Sequence, residues 1–175
     1  MIGFGSKEFK LAIYIANRPE LDNYPDQATL MPLNPGEIDY IGKNTSNHWR
    51  KVFNVSAKFL FQLYSEHDQQ QLEGFDTWQN YRDQALFQAE RQEALLFSVP
   101  QFTDRDVIHI VAGKSYAEQL GLQDLMWLDK YFAVSSNERL IVCPYLDYRQ
   151  LNNARIDTLV SLVQKLRDRS LAEEN

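Results

Sequence analysis

The sequence predicts an α/β fold, a three-layer sandwich in which a mainly parallel central sheet is covered by helices on both sides. Strand-like and helix-like segments alternate along the 175 residues. The strand-like segments are apolar almost throughout, which is typical of strands that are buried on both faces of a parallel sheet. No repeat, low-complexity tract or long linker divides the chain. We therefore predict one α/β domain over residues 1–175.

Composition and charge limit the class of protein. Hydrophobic residues make up 44% and charged residues 24% of the chain, which are ordinary globular values. No segment approaches the roughly 18 apolar residues of a membrane span, so we predict a soluble, cytoplasmic protein with no membrane partner. The single cysteine and three histidines have no recognisable zinc spacing, and we predict neither a metal nor a cofactor. The net charge of −6 argues against a protein that coats nucleic acid.

The first half of the chain contains two predicted strands and two predicted helices. Residues 9–16 are apolar and rich in Ile and aromatics, and residues 28–33 form a shorter apolar run that ends at Asn34-Pro35-Gly36. Ser46 is the predicted N-cap of a helix. Its apolar face is formed by Trp49, Val52, Phe53, Ala57, Leu60 and Tyr64. A second helix is predicted to start at Asp76 and to continue through Ala89.

The second half alternates in the same way. Residues 94–99 are predicted as a strand. Residues 106–121 read as a buried strand, a glycine turn at Gly113 and a short helix that Gly121 closes. Residues 139–153 form a strand that runs into a loop. The last predicted helix has one apolar face, formed by Ile156, Leu159, Val160, Val163 and Leu166.

Three predicted strands end in distinctive loops. These are the corner Asn34-Pro35-Gly36, the turn Gly113-Lys114-Ser115, and the loop that starts at Cys143-Pro144-Tyr145. In a parallel sheet, ligands collect at the carboxyl ends of the strands. We therefore expect these three loops to meet and to line one hollow.

The order of these motifs resembles that of the uracil-DNA glycosylase superfamily, and most closely its mismatch-specific branch. In that family a strand ends in an N-P-G corner, which Asn34-Pro35-Gly36 matches, and a helix start of the form N-x-F/W-W/R-K is matched from Asn47 to Lys51. A later G-K-x-A motif is matched in part by Gly113, Lys114 and Ala117. The segment Cys143-Pro144-Tyr145-Leu146 stands where the family has its second motif. The resemblance covers residues 28–166 and implies a glycosylase-like fold.

The resemblance implies a role for each matching residue. The corner side chain, here Asn34, orients the water that attacks the sugar, and an aromatic side chain, Tyr40 or Tyr145, stacks on the extruded base. Leu146 corresponds to the leucine that wedges into the duplex. Asn34 is thus the catalytic candidate. The candidates for binding a base or nucleic acid are Pro35, Gly36, Tyr40, Asn47, His48, Arg50, Lys51, Lys114, Cys143, Pro144, Tyr145 and Leu146.

The second motif departs from the family pattern. Cys143 replaces the His or Asn that holds the anionic leaving base, and a thiol is a weak hydrogen-bond donor. Tyr145 replaces a small serine and adds bulk to the pocket. These changes predict that hydrolysis of the N-glycosidic bond is weak or lost.

Local charge gives two readings of the helix that follows Ser46. Between residues 42 and 58 the chain has bases and no Asp or Glu, which suits binding of a phosphate at the helix start. The bases are Lys43, Arg50, Lys51 and Lys58. The same run is also typical of a solvated helix face. Likewise, Asn34-Pro35-Gly36 is either a site or only a turn, since all three residue types favour turns.

Three hypotheses about function follow. The first is an enzyme or former enzyme with the glycosylase architecture that binds DNA or a nucleobase. The second is a non-catalytic interaction protein that keeps the fold while Tyr145 closes the cleft. The third is an unrelated α/β enzyme that acts on a small anionic metabolite at the same strand ends. His109 lies in the apolar run VIHIVA, so we expect a hydrogen-bonded core residue there and not a catalyst.

Overall fold

The computed structural model describes residues 1–174, which form an α/β domain; Asn175 lies outside the described residues. The strands are β1 (Gly3–Gly5), β2 (Leu11–Tyr14), β3 (Leu30–Met31), β4 (Glu93–Leu96), β5 (Ile108–Ala112), β6 (Leu125–Trp127), β7 (Ala133–Ser135) and β8 (Leu140–Cys143). The helices are α1 (Glu37–Asn44), α2 (Asn47–His67), α3 (Trp78–Gln84), α4 (Lys114–Leu120) and α5 (Asn153–Glu174). Within residues 1–174, none of these helices is both long and apolar enough to span a membrane.

The strands form one eight-stranded mixed sheet in the order β3-β1-β4-β2-β5-β8-β7-β6. Its centre is parallel, because β4, β2, β5 and β8 all run in the same direction. Antiparallel pairs join β1 to β4 at one side, and β8 to β7 and β7 to β6 at the other. The α/β class and the mostly parallel sheet are therefore confirmed, while the antiparallel flanks were not predicted.

Both faces of the sheet are buried. Alternate residues of β2 enter different cores, since Leu11 and Ile13 face α1, α2, α3 and α5, whereas Ala12 and Tyr14 face the side of α4. The first core is the larger, and α2 contributes most of its helical side chains. This double burial explains why the central strands are apolar at nearly every position.

Several elements differ from the prediction. The stretch between Gly36 and Ser46, for which the sequence predicted no helix, contains α1, whose Ile38 and Ile41 are buried one turn apart. The strand β1 and the hairpin of β6 and β7 were missed because each strand is only three residues long. Helix α3 ends at Gln84, short of the predicted Ala89. Its N-cap is Thr77 and not Asp76, because the Thr77 hydroxyl accepts the hydrogen bond from the Asn80 N–H at 3.1 Å.

A buried carboxylate joins α2, α3 and the sheet. Glu93, the first residue of β4, is 0% exposed. Its carboxylate accepts hydrogen bonds from the hydroxyls of Tyr64 on α2, at 2.7 Å, and Tyr81 on α3, at 2.5 Å. Arg91 donates from Nε at 3.2 Å and lies against both tyrosine rings. Burial, with the neighbouring carboxylate, raises the pKa of both tyrosines well above the ordinary value, so both remain hydrogen-bond donors.

We expect Glu93→Ala to lower the free energy of unfolding by about 3–5 kcal/mol, because removing one partner leaves the Arg91 charge and two tyrosine hydroxyls buried without an acceptor. Urea unfolding followed by circular dichroism would measure the change. Glu118→Ala, which removes an exposed carboxylate from α4, is the control and should change stability by less than about 0.5 kcal/mol. Equal effects of the two substitutions would contradict the structural role of Glu93.

His109 is a core residue, as predicted. It lies in β5, is 3% exposed, and its Nδ1 is 2.7 Å from the hydroxyl of Tyr14 on the adjacent β2. Phe102 packs edge-on against the imidazole at 4.9 Å. Burial, and then the charge of the nearby Arg139, lower the pKa of His109 to about 4. His109 is therefore neutral in the folded protein at pH 7.

This lowered pKa predicts how stability depends on pH. Above pH 6.5 the imidazole is neutral in both the folded and the unfolded chain, so His109 does not reduce the free energy of unfolding. Below that pH the unfolded chain binds a proton that the folded chain excludes, so stability falls until the pH reaches the folded value of about 4. The loss is roughly 3 kcal/mol, at about 1.4 kcal/mol per pKa unit.

The measurement is a series of urea titrations between pH 7.5 and pH 4 on the wild type and on His109→Gln, an uncharged polar substitution. We expect the variant to lose less stability across this interval, since carboxylates titrate equally in both proteins. His67→Gln, at an exposed histidine, is the control for removing an imidazole. If the wild type and His109→Gln had parallel pH profiles, the excluded proton would not belong to His109.

Candidate functional site

The carboxyl ends of the central parallel strands lie together at one end of the sheet. Asn17 follows β2, Gly113 follows β5, and Tyr145 follows β8. The Gly113 N–H donates to the Cys143 carbonyl at 2.8 Å, which joins the ends of β5 and β8. Helix α2 begins at the same end of the sheet, since His48 in its first turn contacts Tyr145. We call this region the strand-end cleft.

Three polar side chains form a hydrogen-bonded cluster in the strand-end cleft. The Tyr145 hydroxyl lies 2.5 Å from His48 Nε2, and the two rings are parallel within 9° at a centroid distance of 5.5 Å. Asn17 also hydrogen-bonds the Tyr145 side chain. We call Asn17, His48 and Tyr145 the Tyr145 cluster. It connects the loop after β2, the start of α2 and the loop after β8.

The Tyr145 cluster is electrically neutral at pH 7. Partial burial, and then the charge of Lys51, lower the pKa of His48 below its ordinary value. Burial raises the pKa of Tyr145, so its hydroxyl keeps its proton. A neutral imidazole has one acceptor nitrogen, and a protonated Tyr145 can donate to it at Nε2. The cluster therefore holds its shape without a net charge and offers no strong base.

Gly113 lies beside the Tyr145 ring. Gly113 has φ +105°, a backbone conformation that favours glycine, and a Cβ added there would lie 3.5 Å from the Tyr145 ring. The ring is half-buried and packs against the large core. Tyr145 thus lies between the turn at Gly113 and the start of α2 in the strand-end cleft.

The remaining residues of the second motif are core residues. Cys143 is fully buried and its thiol donates to the Pro144 carbonyl at 3.3 Å. Burial raises the pKa of Cys143 to about 12, so the thiol is protonated at neutral pH and is not a nucleophile. Leu146 is 1% exposed. Because its side chain packs in the large core, Leu146 does not reach a bound duplex as a wedge residue has to.

The predicted basic residues of α2 already have partners. The Lys51 ammonium lies 3.6 Å from the carboxylate of Asp147, which offsets its charge next to the cleft. Arg50 donates from Nε to the Gly42 carbonyl at 3.0 Å. Asn47 is exposed in the first turn of α2. Lys114, in contrast, places its ammonium 4.9 Å from the ring of Trp127, on the side of β6.

The corner Asn34-Pro35-Gly36 lies at the opposite end of the sheet, where the central strands begin. It follows β3, which is parallel to β1, and β1 is antiparallel to β4. The carboxyl end of β3 therefore points away from the carboxyl ends of β2, β5 and β8, and our expectation that three loops meet is corrected. Of the three loops, only those at Gly113 and Cys143 lie at the same end of the sheet.

The contacts of the corner are those of a helix start. The N–H and side-chain amide of Asn34 both donate to the Glu37 carboxylate, at 3.0 and 3.3 Å, and the Glu37 N–H donates back to the Asn34 carbonyl. Gly36 has φ 86° as the N-cap of α1. Pro35 is exposed between them. Tyr40, also on α1, donates its hydroxyl to Asp22 at 2.6 Å.

Sequence reasoning missed Asn17 and Arg18. Arg18 donates from Nη1 to the carbonyls of Pro25 and Gln27, at 3.0 and 2.9 Å, and so holds the loop after β2 in place. The available signal was their position, because they are the first polar residues after the first long buried strand. A groove of about 640 Å³ opens beside them and beside Ser46 and His48. Within residues 1–174, no group of His, Cys, Asp or Glu side chains is arranged to hold a metal ion.

The fold and site define a class of protein, an α/β domain with a mixed sheet whose strand-end cleft is occupied by a neutral tyrosine cluster. The chain belongs to the family of unknown function DUF6942, whose family model matches residues 2–164. No curated protein and no solved structure matches the chain. The matched range contains every residue of the Tyr145 cluster and the whole sheet.

The position of Tyr145 predicts a cavity that a phenol ring can refill. Tyr145→Ala should lower stability by roughly 2–4 kcal/mol. Millimolar phenol should then raise the melting temperature of this variant by about 2–4 °C, because binding to the folded state stabilises it. The exposed neighbour Tyr148 supplies the control Tyr148→Ala. A response to phenol in the control, or none in Tyr145→Ala, would show that Tyr145 does not fill a separate cavity.

Proposed function

We propose that the protein is a non-catalytic interaction protein with an α/β fold and a strand-end cleft that Tyr145 closes. The observation that carries this proposal is the hydrogen-bonded contact of Tyr145 with His48 and Asn17 at the carboxyl ends of the central strands, which is where parallel sheets bind ligands. A side chain that is fixed by two polar partners is costly to displace. The closed cleft is therefore the resting arrangement of the site.

The chemistry of base removal supports the loss of hydrolysis. Cleavage of an N-glycosidic bond needs an oriented water and a group that stabilises the leaving base as an anion. The amide of Asn34, to which the resemblance assigns the water, lies across the sheet from the Cys143 loop. The Cys143 thiol is buried and hydrogen-bonded to its own chain. The two required groups therefore do not face one bound substrate.

A second candidate function is the binding of a nucleobase or single-stranded DNA without hydrolysis. The groove beside the Tyr145 cluster favours it, because its volume of about 640 Å³ is in the range of small-molecule sites. The Ser46 side chain makes no capping hydrogen bond, so the first N–H groups of α2 are available to an anion. Against this candidate, Glu20 also lines the groove and Asp147 neutralises Lys51.

Oligonucleotide assays distinguish these functions. We expect no release of base from uracil-containing or mismatched duplexes by the wild type, and the same result for Asn34→Ala. For an interaction protein we also expect no change in fluorescence anisotropy of single-stranded DNA at low salt. Measurable release of base that Asn34→Ala abolishes would refute the loss of catalysis.

Binding without release would favour the second candidate. In that case affinity should fall as salt is raised, since phosphate contacts release counterions. Asn17→Ala should weaken binding, and Asn23→Ala, at an exposed amide further along the same loop, is the matched control.

A further inference from the structure

Strand β6 presents an unpaired edge at the end of the sheet. It pairs with β7 on one side only. The Leu128 N–H donates to the Phe132 carbonyl at 2.9 Å, and the Ser136 N–H donates to the Asp124 carbonyl at 3.1 Å, so the backbone groups of residues 124 and 128 face β7. Because these groups alternate along a strand, those of Leu125 and Trp127 face outward. No residue within 1–174 hydrogen-bonds them.

This edge carries three consecutive exposed apolar side chains. Met126 is 57% exposed, Trp127 38% and Leu128 48%. Met126 and Leu128 lie on one face of the strand and Trp127 on the other, where the Lys114 ammonium stands over its ring at 4.9 Å. An open edge with exposed apolar residues is a template for pairing with another strand. We call Asp124 to Lys130 the β6 edge.

We propose that the β6 edge is a homodimer interface, in which β6 pairs antiparallel with β6 of a second copy across a two-fold axis. The two sheets then join into one continuous sheet. Antiparallel pairing requires residues with outward backbone groups to oppose each other, which permits two-fold axes at Leu125, Met126 or Trp127. The side chains select among these registers.

The register centred on Trp127 sets apolar side chains opposite each other at Met126 and Trp127 and brings opposite charges together at its ends, while Leu125 faces the partner's Asp129. Met126 then lies opposite the partner's Leu128, twice across the axis, and Trp127 opposes the partner's Trp127. Asp124 precedes the strand with φ 58°, and Lys130 lies in the turn that follows it, so the long Lys130 side chain reaches the partner's carboxylate at each end of the paired strands. Within the described residues Lys130 has no ion pair, and Asp124 is held by the Asn137 side chain at 2.7 Å.

The other registers lack this complementarity. An axis at Met126 sets the Asp124 carboxylate against the partner's Leu128, and an axis at Leu125 sets it against the partner's Met126. Neither of these registers gives Asp124 an opposite charge, and this pair is what distinguishes the register centred on Trp127. The favourable pairs arise only when the same sequence is read in both directions, which is why a second copy fits this edge.

Sedimentation velocity over about 1–200 µM protein tests the interface. We expect a concentration-dependent dimer of twice the 20.5 kDa chain mass, with a dissociation constant on the order of micromolar because the paired strands are short. Trp127→Lys should give a monomer with an unchanged circular dichroism spectrum. Met31→Lys, at an exposed methionine on the opposite edge strand β3, is the matched control and should still dimerise.

A charge reversal tests the register. Lys130→Glu would set two carboxylates against each other and should weaken the dimer at least tenfold, whereas Lys130→Arg should not. A wild type that stays monomeric at every concentration would overturn the proposal, as would a dimer that Trp127→Lys leaves intact. These outcomes are independent of base release and of DNA binding, since the β6 edge and the strand-end cleft share no residue.

Discussion

The buried Glu93 carboxylate is the constraint on which the arrangement of the larger core depends. It lies at the start of a central strand and takes hydrogen bonds from α2 and α3. Tyr64 stands near the end of α2, and His48, in the first turn of the same helix, contacts Tyr145 at the strand-end cleft. The two positions are 16 residues apart, or about 24 Å along a helix. Helix α2 is therefore held at both of its ends. The buried charge network fixes it where the central strands begin, and the Tyr145 cluster fixes it where they end.

Periodicity predicted the elements that bury most apolar surface. The central strands and helices α2 and α5 have long, regular apolar patterns, and each was placed within a few residues. Shorter elements have no such signal, since Gly3–Gly5 contains two glycines and β6 contains only three residues. Helix α1 was missed because its exposed face is polar and only Ile38 and Ile41 mark its buried side. These elements are formed by tertiary packing, which overrides weak local preference.

The site could be predicted only in part, and the reason is strand direction. His48 and Tyr145 were named from motif order, and they are in contact. The corner at Asn34 was expected beside them because the strand before it was taken to be one of the parallel strands. The insertion of β1 antiparallel to β4 reverses the direction of its neighbour β3, and this depends on contacts of Gly3 and Gly5 with the backbone of β4 that a single sequence does not disclose. One reversed strand is therefore sufficient to move a motif from the carboxyl ends of the central strands to their amino ends.

The two edges of the sheet differ in how they are protected. At one edge β3 has only two residues and is followed by Pro32, which has no N–H to donate, and the Gln27 side chain donates to the nearby carbonyls of Gly3 and Thr29. Such features prevent pairing with another chain. At the other edge β6 has no proline, and its apolar side chains are exposed on both faces. A chain that blocks one edge and leaves the other open has an asymmetry that self-association at β6 explains, because pairing there would bury the exposed methionine, tryptophan and leucine together.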